Sequence, residues 1–337
     1  MKKLIKTNKT LIILAVTTAF LFLALFFSNY AGSPVGGAPR VVMVEISKGA
    51  SFLRIVEILA QHGLVKNRPF FSVLAVIRKA ARHVRAGEYE LTTTMSPIQI
   101  LDKLVRGEIK EYRVTIPEDF SAKEIASRLA SFKLIKEKEF FALAADQEFL
   151  SFLDIKAPSI EGYLYPDTYL LHRSMGTREI MKIMVHRFWE KITPDLIKKA
   201  QEKGMNLTEF VTMASIIGKE SGNKEEKSLI SAVFHNRLKR GMKLQSDPTA
   251  VYHISRFSGM ITRDDLRSNT PYNTYRIKGL PPGPIANPGI DSFYAALYPT
   301  PVNYLYFVSK NDGSHQFSPS LSTHNRAVLK YQIDKKK

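Results

Sequence analysis

Met213-Ala-Ser-Ile-Ile-Gly-Lys-Glu220 is an apolar run that ends in a carboxylate. Read as a helix, it sets Phe210, Met213, Ile217 and Glu220 at i, i+3, i+7 and i+10, on one face. A face that buries Phe, Met and Ile carries Glu220 to the edge of a core. Lost hydration there disfavours the charged form and raises the carboxyl pKa. Such a group holds a proton near neutral pH and can donate it, which is the work of a general acid. The same run also fits a solvated Glu at a fraying helix end, with Lys219 beside it and Ser221-Gly222 behind it. The rest of the chain has to decide between the two.

Polar residues that could share a site with Glu220 lie on both sides of it. Upstream, Glu161-Gly-Tyr-Leu-Tyr-Pro-Asp-Thr-Tyr169 holds three tyrosines and two carboxylates in nine residues, the composition of a packing strand and equally of a sugar-stacking surface. Downstream come Gly241 to Thr249, with Gln245 and Asp247, and then Tyr252. Asp247 before Pro248 reads most simply as a turn residue or helix N-cap. Tyr272-Asn273-Thr274-Tyr275 precedes Gly279 to Gly289, a loop with seven Gly or Pro in eleven residues, including Asn287.

Other chemistries lack their residues. His315 and His324 stand nine apart with no HExxH, cysteine or acidic cluster beside them, so they read as structural histidines and no metal is expected. P-loop, GxGxxG and GxSxG motifs are missing, and no cofactor is signalled. Carboxylate chemistry remains. An ordinary glycosidase needs two carboxylates, here Glu220 with Asp247 or, less readily, Glu161. One class of sugar cleavage needs a single one, because a hydroxyl of the substrate attacks the anomeric carbon. Muramic acid in peptidoglycan has that hydroxyl at C6, and its capture gives a 1,6-anhydro sugar with the benefit of a high effective molarity.

The elements that must carry these residues begin with an anchor. Lys2, Lys3, Lys6 and Lys9 precede Leu11 to Phe27, an apolar stretch broken only by Thr17 and Thr18. Extended through Tyr30 it is long enough to cross a bilayer, and longer than the apolar core of a cleaved signal peptide. The lysines keep the N-terminus cytoplasmic, with the bulk of the chain across the membrane. The 337 residues, 49 basic against 31 acidic, carry a net charge of +18. That balance points to polyanionic surroundings. On the far side of a membrane it argues against nucleic acid and for anionic lipid or cell-wall polymer.

Residues 31–40 (AGSPVGGAPR) form a flexible linker. Val41 to Ile46 then reads as a strand, and Ser51 caps a helix stopping at Gly63. The pattern recurs seventy residues later, with ten pairs from Val44/Val114 to Phe71/Phe141 at one offset. Between the copies lie a strand at 87–91 and a Ser96-Pro97 helix ending at Gly107. Beyond them, helices are expected from Thr177 to Lys191, from Pro194 to near Gly204, from Asn206 or Thr208 to Glu220, and from Lys224 to Arg240. Asn303 to Val308 reads as a buried strand and His315 to Asn325 as a closing loop.

At this point the sequence resembles a known family. EGYLYPDTYLL (161–171), ASIIGKES (214–221), VFHNRLKRGMKLQSDPT (233–249), YNTY (272–275), GLPPGPIANPG (279–289), YLYFV (304–308) and HN (324–325) are similar, in order, to the endolytic murein transglycosylases of the YceG-like, MltG-type family. The resemblance implies a single-pass cell-membrane lyase with a LysM-like module ahead of a catalytic domain facing the periplasmic or extracellular side. It implies internal cutting of nascent peptidoglycan glycan strands to leave 1,6-anhydro ends, and partnership with peptidoglycan synthases. It assigns the single acid/base to Glu220, and Gly218 stands where the family carries an earlier Glu.

The expected architecture is α+β: a basic tail (1–10), a transmembrane anchor (11–30), a linker (31–40), a LysM-like module (41–112), a second repeat unit and connection (113–155) and a mixed α+β catalytic domain (156–333). Tyr165, Gln245, Asp247, Tyr252, Asn273, Tyr275 and Asn287 are expected in the substrate cleft. The rival readings are a two-carboxylate muramidase using Glu220 and Asp247, and a non-catalytic, membrane-anchored wall-binding scaffold.

Overall fold

The computed structural model describes residues 2–36, 38–254 and 259–333. The chain divides into two compact units, residues 1–112 with 171–175, and 113–170 with 176–337.

In the first unit, helix α1 (Lys2–Gly32) includes a 22-residue segment, Leu11–Gly32, long and apolar enough to cross a membrane. Its large side chains, among them Leu14, Phe20 and Leu25, are exposed. Strands β1 (Val41–Ile46) and β2 (Gly87–Thr92) pair antiparallel, from Val41 opposite Thr92 to Ile46 opposite Gly87. Their period of two turns Val44, Ile46, Tyr89 and Leu91 into a core. Helices α2 (Phe52–Gln61), α3 (Arg68–Ile77) and α4 (Pro97–Arg106) bring Leu59, Phe71, Leu74 and Leu101 to the same core. Ser51 caps α2, Ser96 and Gln99 form a capping box on α4, and Gly107 ends α4 at φ 69°, where a glycine carries no steric cost.

The second unit is mainly helical. It begins with β3 (Tyr112–Thr115), which pairs with β4 (Thr168–Leu171). Between them lie α5 (Ala122–Ser131), α6 (Glu137–Ala144) and α7 (Gln147–Phe152). After β4 come α8 (Thr177–Lys191), α9 (Pro194–Glu202), α10 (Leu207–Glu220) and, past a 3-10 turn, α11 (Lys227–Lys239). Short α12 (Asp247–Val251) and α13 (Arg263–Arg267) precede α14 (Ile290–Leu297). The antiparallel hairpin β5 (Tyr306–Ser309) and β6 (His315–Ser318) and helix α15 (Leu321–Val328) complete it.

Helix α10 is the axis of this unit. Asn206 and Glu209 cap it reciprocally, and every residue from Phe210 to Gly218 is buried, because α9, α11, α12 and α14 surround it. Its apolar character is therefore a whole-helix property, wider than the single face read from spacing. Phe210 meets Phe293 of α14 edge-on at 5.1 Å, and Phe293 meets Phe188 of α8 at 6.1 Å.

Residues 113–155 lie in the same compact unit as most of 156–333, with Phe120 and Ala122 hydrogen-bonded to Asn287 and Glu161. Two expectations about elements change. The run 303–308 is strand only from Tyr306, and half-buried, since a two-stranded hairpin leaves one face open. Residues 315–325 form β6 and the start of α15 instead of a loop. The Ser320–Thr323 capping box that opens α15 is the local signal for it.

Candidate active site

Glu220 is the last residue of α10. The chain leaves the helix there in an extended conformation at Ser221 (φ −144°, ψ 125°), so no left-handed cap covers the helix end. Ser246 is the N-cap residue of α12 by position, yet its hydroxyl does not cap that helix. It donates instead to Glu220 Oε1 at 2.5 Å. Ser246 is itself fixed from behind: its N–H donates to Thr274 Oγ1 (2.9 Å) and its carbonyl accepts from Thr249 Oγ1 (2.6 Å). Thr249 and Thr274 are joined by a 2.7 Å hydroxyl contact. A buried hydroxyl chain thus positions one hydrogen bond on the acid.

Desolvation pushes the Glu220 carboxyl up to about 7, and the nearby Asp247 carboxylate adds to the rise. The Ser246 hydrogen bond, the Arg237 charge and the Asp247 N–H oppose it. The group is half-buried and lines a cavity of about 760 Å³ with Asp247, Tyr252, Lys219, Glu124 and Ile285. At neutral pH it is poised between acid and base, which is what stepwise proton donation and recovery require. Asp247 is held by Tyr275, whose hydroxyl donates to Oδ1 at 2.5 Å.

A second carboxyl, Glu161, is fully enclosed in the same unit. Its oxygens accept from Ala122 N–H (2.9 and 3.1 Å), the Tyr252 hydroxyl (2.9 Å) and Asn287 Nδ2 (2.8 Å). Burial pushes it up to about 7 against these donors, which favour the charged form. The first N–H of α5 points at it, a favourable place for an anion. Glu161 therefore anchors the Tyr252 hydroxyl while the residue itself lines the cavity.

Asp247 and Tyr252 share the cavity with Glu220, and Tyr275 stands behind Asp247. Gln245 is exposed at φ 49°, with its N–H on the Thr274 carbonyl, and is not among the lining residues. The other three residues expected in the cleft lie outside the lining of this cavity. Asn273 is wholly buried and spends its amide on the carbonyls of Leu266 and Ser268 and on the Tyr275 N–H. Asn287 is wholly buried and binds Phe120, Leu164 and Glu161. Tyr165 is buried, its carbonyl accepting the Tyr169 hydroxyl. All three are buried in the second unit. Ser246, Lys219 and Glu124 were missed. The first had a signal, a serine in N-cap position before Asp-Pro; the Lys219–Glu124 ion pair at 3.4 Å joins residues far apart in the chain.

Gly218 has a steric reason. A Cβ built there would lie 1.8 Å from Asp119 Oδ1. Asp119 holds a left-handed backbone (φ 64°), and burial pushes its carboxyl up to about 6 against the Lys227 charge. The space that a side chain at 218 would enter is filled by a carboxyl from another segment.

A desolvated carboxyl opens here on a cavity, beside a second carboxylate and a tyrosine. The chain belongs to the YceG-like family, whose model matches residues 44–330. It is 33% identical over 308 residues to an endolytic murein transglycosylase of Bacillus subtilis, covering 86% of this chain and 84% of that protein. An endolytic murein transglycosylase of Streptococcus pneumoniae is 28% identical over 87% of this chain, which spans 58% of that protein's length. A crystal structure of a YceG-like protein from Listeria monocytogenes superposes with a TM-score of 0.60 at 33% identity, over 85% of this chain and 98% of the other.

Proposed function

We propose that this chain is a murein lytic transglycosylase that cuts glycan strands internally, with Glu220 as its single acid/base. Family membership supports the enzyme class. The observation that carries the residue assignment is the Glu220 carboxyl itself, pushed up to about 7 and opening on the cavity.

In this reading protonated Glu220 gives its proton to the oxygen linking MurNAc C1 to the next GlcNAc, and the C1–O bond breaks as positive charge develops on the ring. The resulting Glu220 carboxylate takes the proton from the MurNAc C6 hydroxyl as that oxygen closes on C1. A 1,6-anhydro end forms, the leaving strand keeps a free hydroxyl, Glu220 is reprotonated and no water is consumed. Ser246 holds the carboxyl in place, and its hydrogen bond strengthens as Glu220 becomes charged. Tyr252, tethered by Glu161, offers an aromatic surface to a sugar ring.

The apolar Leu11–Gly32 segment supports a single-pass anchor, with the lysine-rich N-terminus cytoplasmic and the remainder facing the wall. The strand–helix–helix–strand order of residues 41–92 supports a LysM-like wall-binding role, and the peptidoglycan synthases are the partners this placement suggests. Glycan strands and the membrane account for the basic charge without nucleic acid.

A second reading keeps one observation in its favour: Asp247 lines the cavity beside Glu220 and could activate a water. Mass spectrometry of the products separates the two, because hydrolysis leaves each new end one water heavier than an anhydro end. The scaffold reading predicts binding to sacculi with no new ends at all.

A further inference from the structure

Helix α3 carries an apolar face that its own unit leaves uncovered. Val73, Val76 and Ile77 are 47%, 70% and 64% exposed, while Phe71, Leu74 and Ala75 on the other side are buried in the core. Phe70, Val73 and Ile77 fall at i, i+3 and i+7, so they form one stripe. That stripe starts on α1. The Phe70 ring lies 5.8 Å from Phe26, 6.0 Å from Phe27 and 5.4 Å from Tyr30, and the Tyr30 hydroxyl donates to the Asn67 carbonyl at 2.9 Å. These are the last two turns of the apolar segment Leu11–Gly32. An uncovered apolar stripe therefore runs directly off the outer end of the helix that the proposed function puts through the membrane.

The charge of the segment that carries it has one sign. From Ile58 to Gly87 the chain holds six Lys or Arg and no Asp or Glu. Arg78 is tied to Asp102 at 2.9 Å, whereas Lys66, Arg68, Lys79 and Arg82 lie exposed around the stripe. A notch of about 240 Å³ beside the junction is lined by Tyr30, Ser33, Lys66 and Asn67, hydroxyl, amide and ammonium groups suited to a phosphate headgroup. A helix that pairs an apolar stripe with a predominantly basic surround has the pattern of a segment lying in a lipid interface.

We propose that α3 is a second membrane contact, its Phe70–Val73–Ile77 stripe seated at the headgroup–acyl boundary of the anionic phospholipid leaflet from which α1 emerges. This rests on α1 being the anchor. With α1 packed on α3, the second contact fixes the tilt and rotation of the first unit on the membrane.

The chain has no cysteine, so Phe20→Cys and Ile77→Cys each give one clean site for an environment-sensitive fluorophore in the full chain. The probe system is nanodiscs of phosphatidylcholine and phosphatidylglycerol, one chain per disc, with spin-labelled lipid as quencher. The expected result is quenching at both sites, by deep-labelled lipid at 20 and by headgroup-labelled lipid at 77. Phosphatidylcholine-only discs or the Lys79→Glu/Arg82→Glu background should cut the signal at 77 by roughly threefold and leave 20 unchanged. Quenching at 20 without quenching at 77 overturns the α3 contact and leaves the anchor standing. Loss at 20 overturns the anchor, and with it this inference. A signal at 77 that needs two chains per disc assigns the face to a second copy and also overturns it.

Discussion

Glu161 and Glu220 are both carboxyls desolvated by the second unit and both pushed up to about 7, yet their surroundings are opposite. Glu161 is sealed, with three different donors converging on its two oxygens. Glu220 receives the Ser246 hydroxyl and the Asp247 N–H, has a like-charged neighbour in the Asp247 carboxylate, and faces a cavity. A raised pKa therefore does not by itself mark an acid catalyst. What separates the two is a free side from which a substrate can reach the proton. Glu161 is a structural knot that positions Tyr252, whereas Glu220 keeps one side open to the cavity.

That contrast can be broken by substitution. Glu161→Ala should have the largest effect, a loss of about 4 kcal/mol, since Ala122 N–H, Asn287 Nδ2 and the Tyr252 hydroxyl all lose a buried partner. Glu161→Gln should recover a good part of it, and chemical denaturation of both variants reads the difference. If Glu161→Ala unfolds at the parent midpoint, the knot is not structural.

Asp119 is another raised carboxyl, and its place depends on Gly218. Gly218→Glu should cost about 3 kcal/mol through overlap with Asp119. Asp119→Gly added to it clears the overlap and puts glycine at φ 64°, so the double variant should regain most of the stability in thermal melts. Additive losses in the pair would contradict this account of Gly218.

Glu220→Gln should raise stability at pH 8 by about 2 kcal/mol, because it removes a desolvated charge. The sign follows from linkage. A carboxyl raised from 4.5 to about 7 binds more protons folded than unfolded within that window. Its cost is therefore absent below pH 4.5, grows through the window and is complete above 7. The gain in Tm should accordingly vanish at pH 4, and a gain that persists there points to another cause.

The smallest effects concern tuning. Ser246→Ala removes a bond to the charged form and should move the alkaline limb of the pH–rate profile up by about half a unit. Asp247→Asn removes a repelling charge and should move it down by a similar amount. Abolished turnover in Asp247→Asn, with the fold intact, would instead favour the two-carboxylate mechanism.

Much of this was legible in the sequence where a signal is local. The bounds of α8 from Thr177 to Lys191, the Asn206 cap of α10 and the Ser96-Pro97 start of α4 follow from caps and periodicity. The apolar run into Glu220 foretold a desolvated carboxyl, because burial of a helix predicts desolvation at its end. The cleft residues were legible only in part. Asn273 and Asn287 have the polar types of a binding site, but buried amides are equally what a Pro- and Gly-rich loop needs to satisfy its backbone, and spacing cannot separate the two uses. Ser246 looked like a helix cap and is one by position; its hydroxyl was turned to Glu220 by packing across 26 residues of chain. The Asp119–Gly218 contact joins segments about a hundred residues apart, beyond any local pattern.

In the proposed mechanism Glu220 alone moves the proton at glycan cleavage. The most direct measurement is the release of 1,6-anhydro-ended products from purified glycan strands by the full chain and by Glu220→Gln, compared at pH 6.5. The account predicts a loss of about a thousandfold or more in a variant that remains folded. Anhydro-ended products released by Glu220→Gln at the parent rate would contradict it.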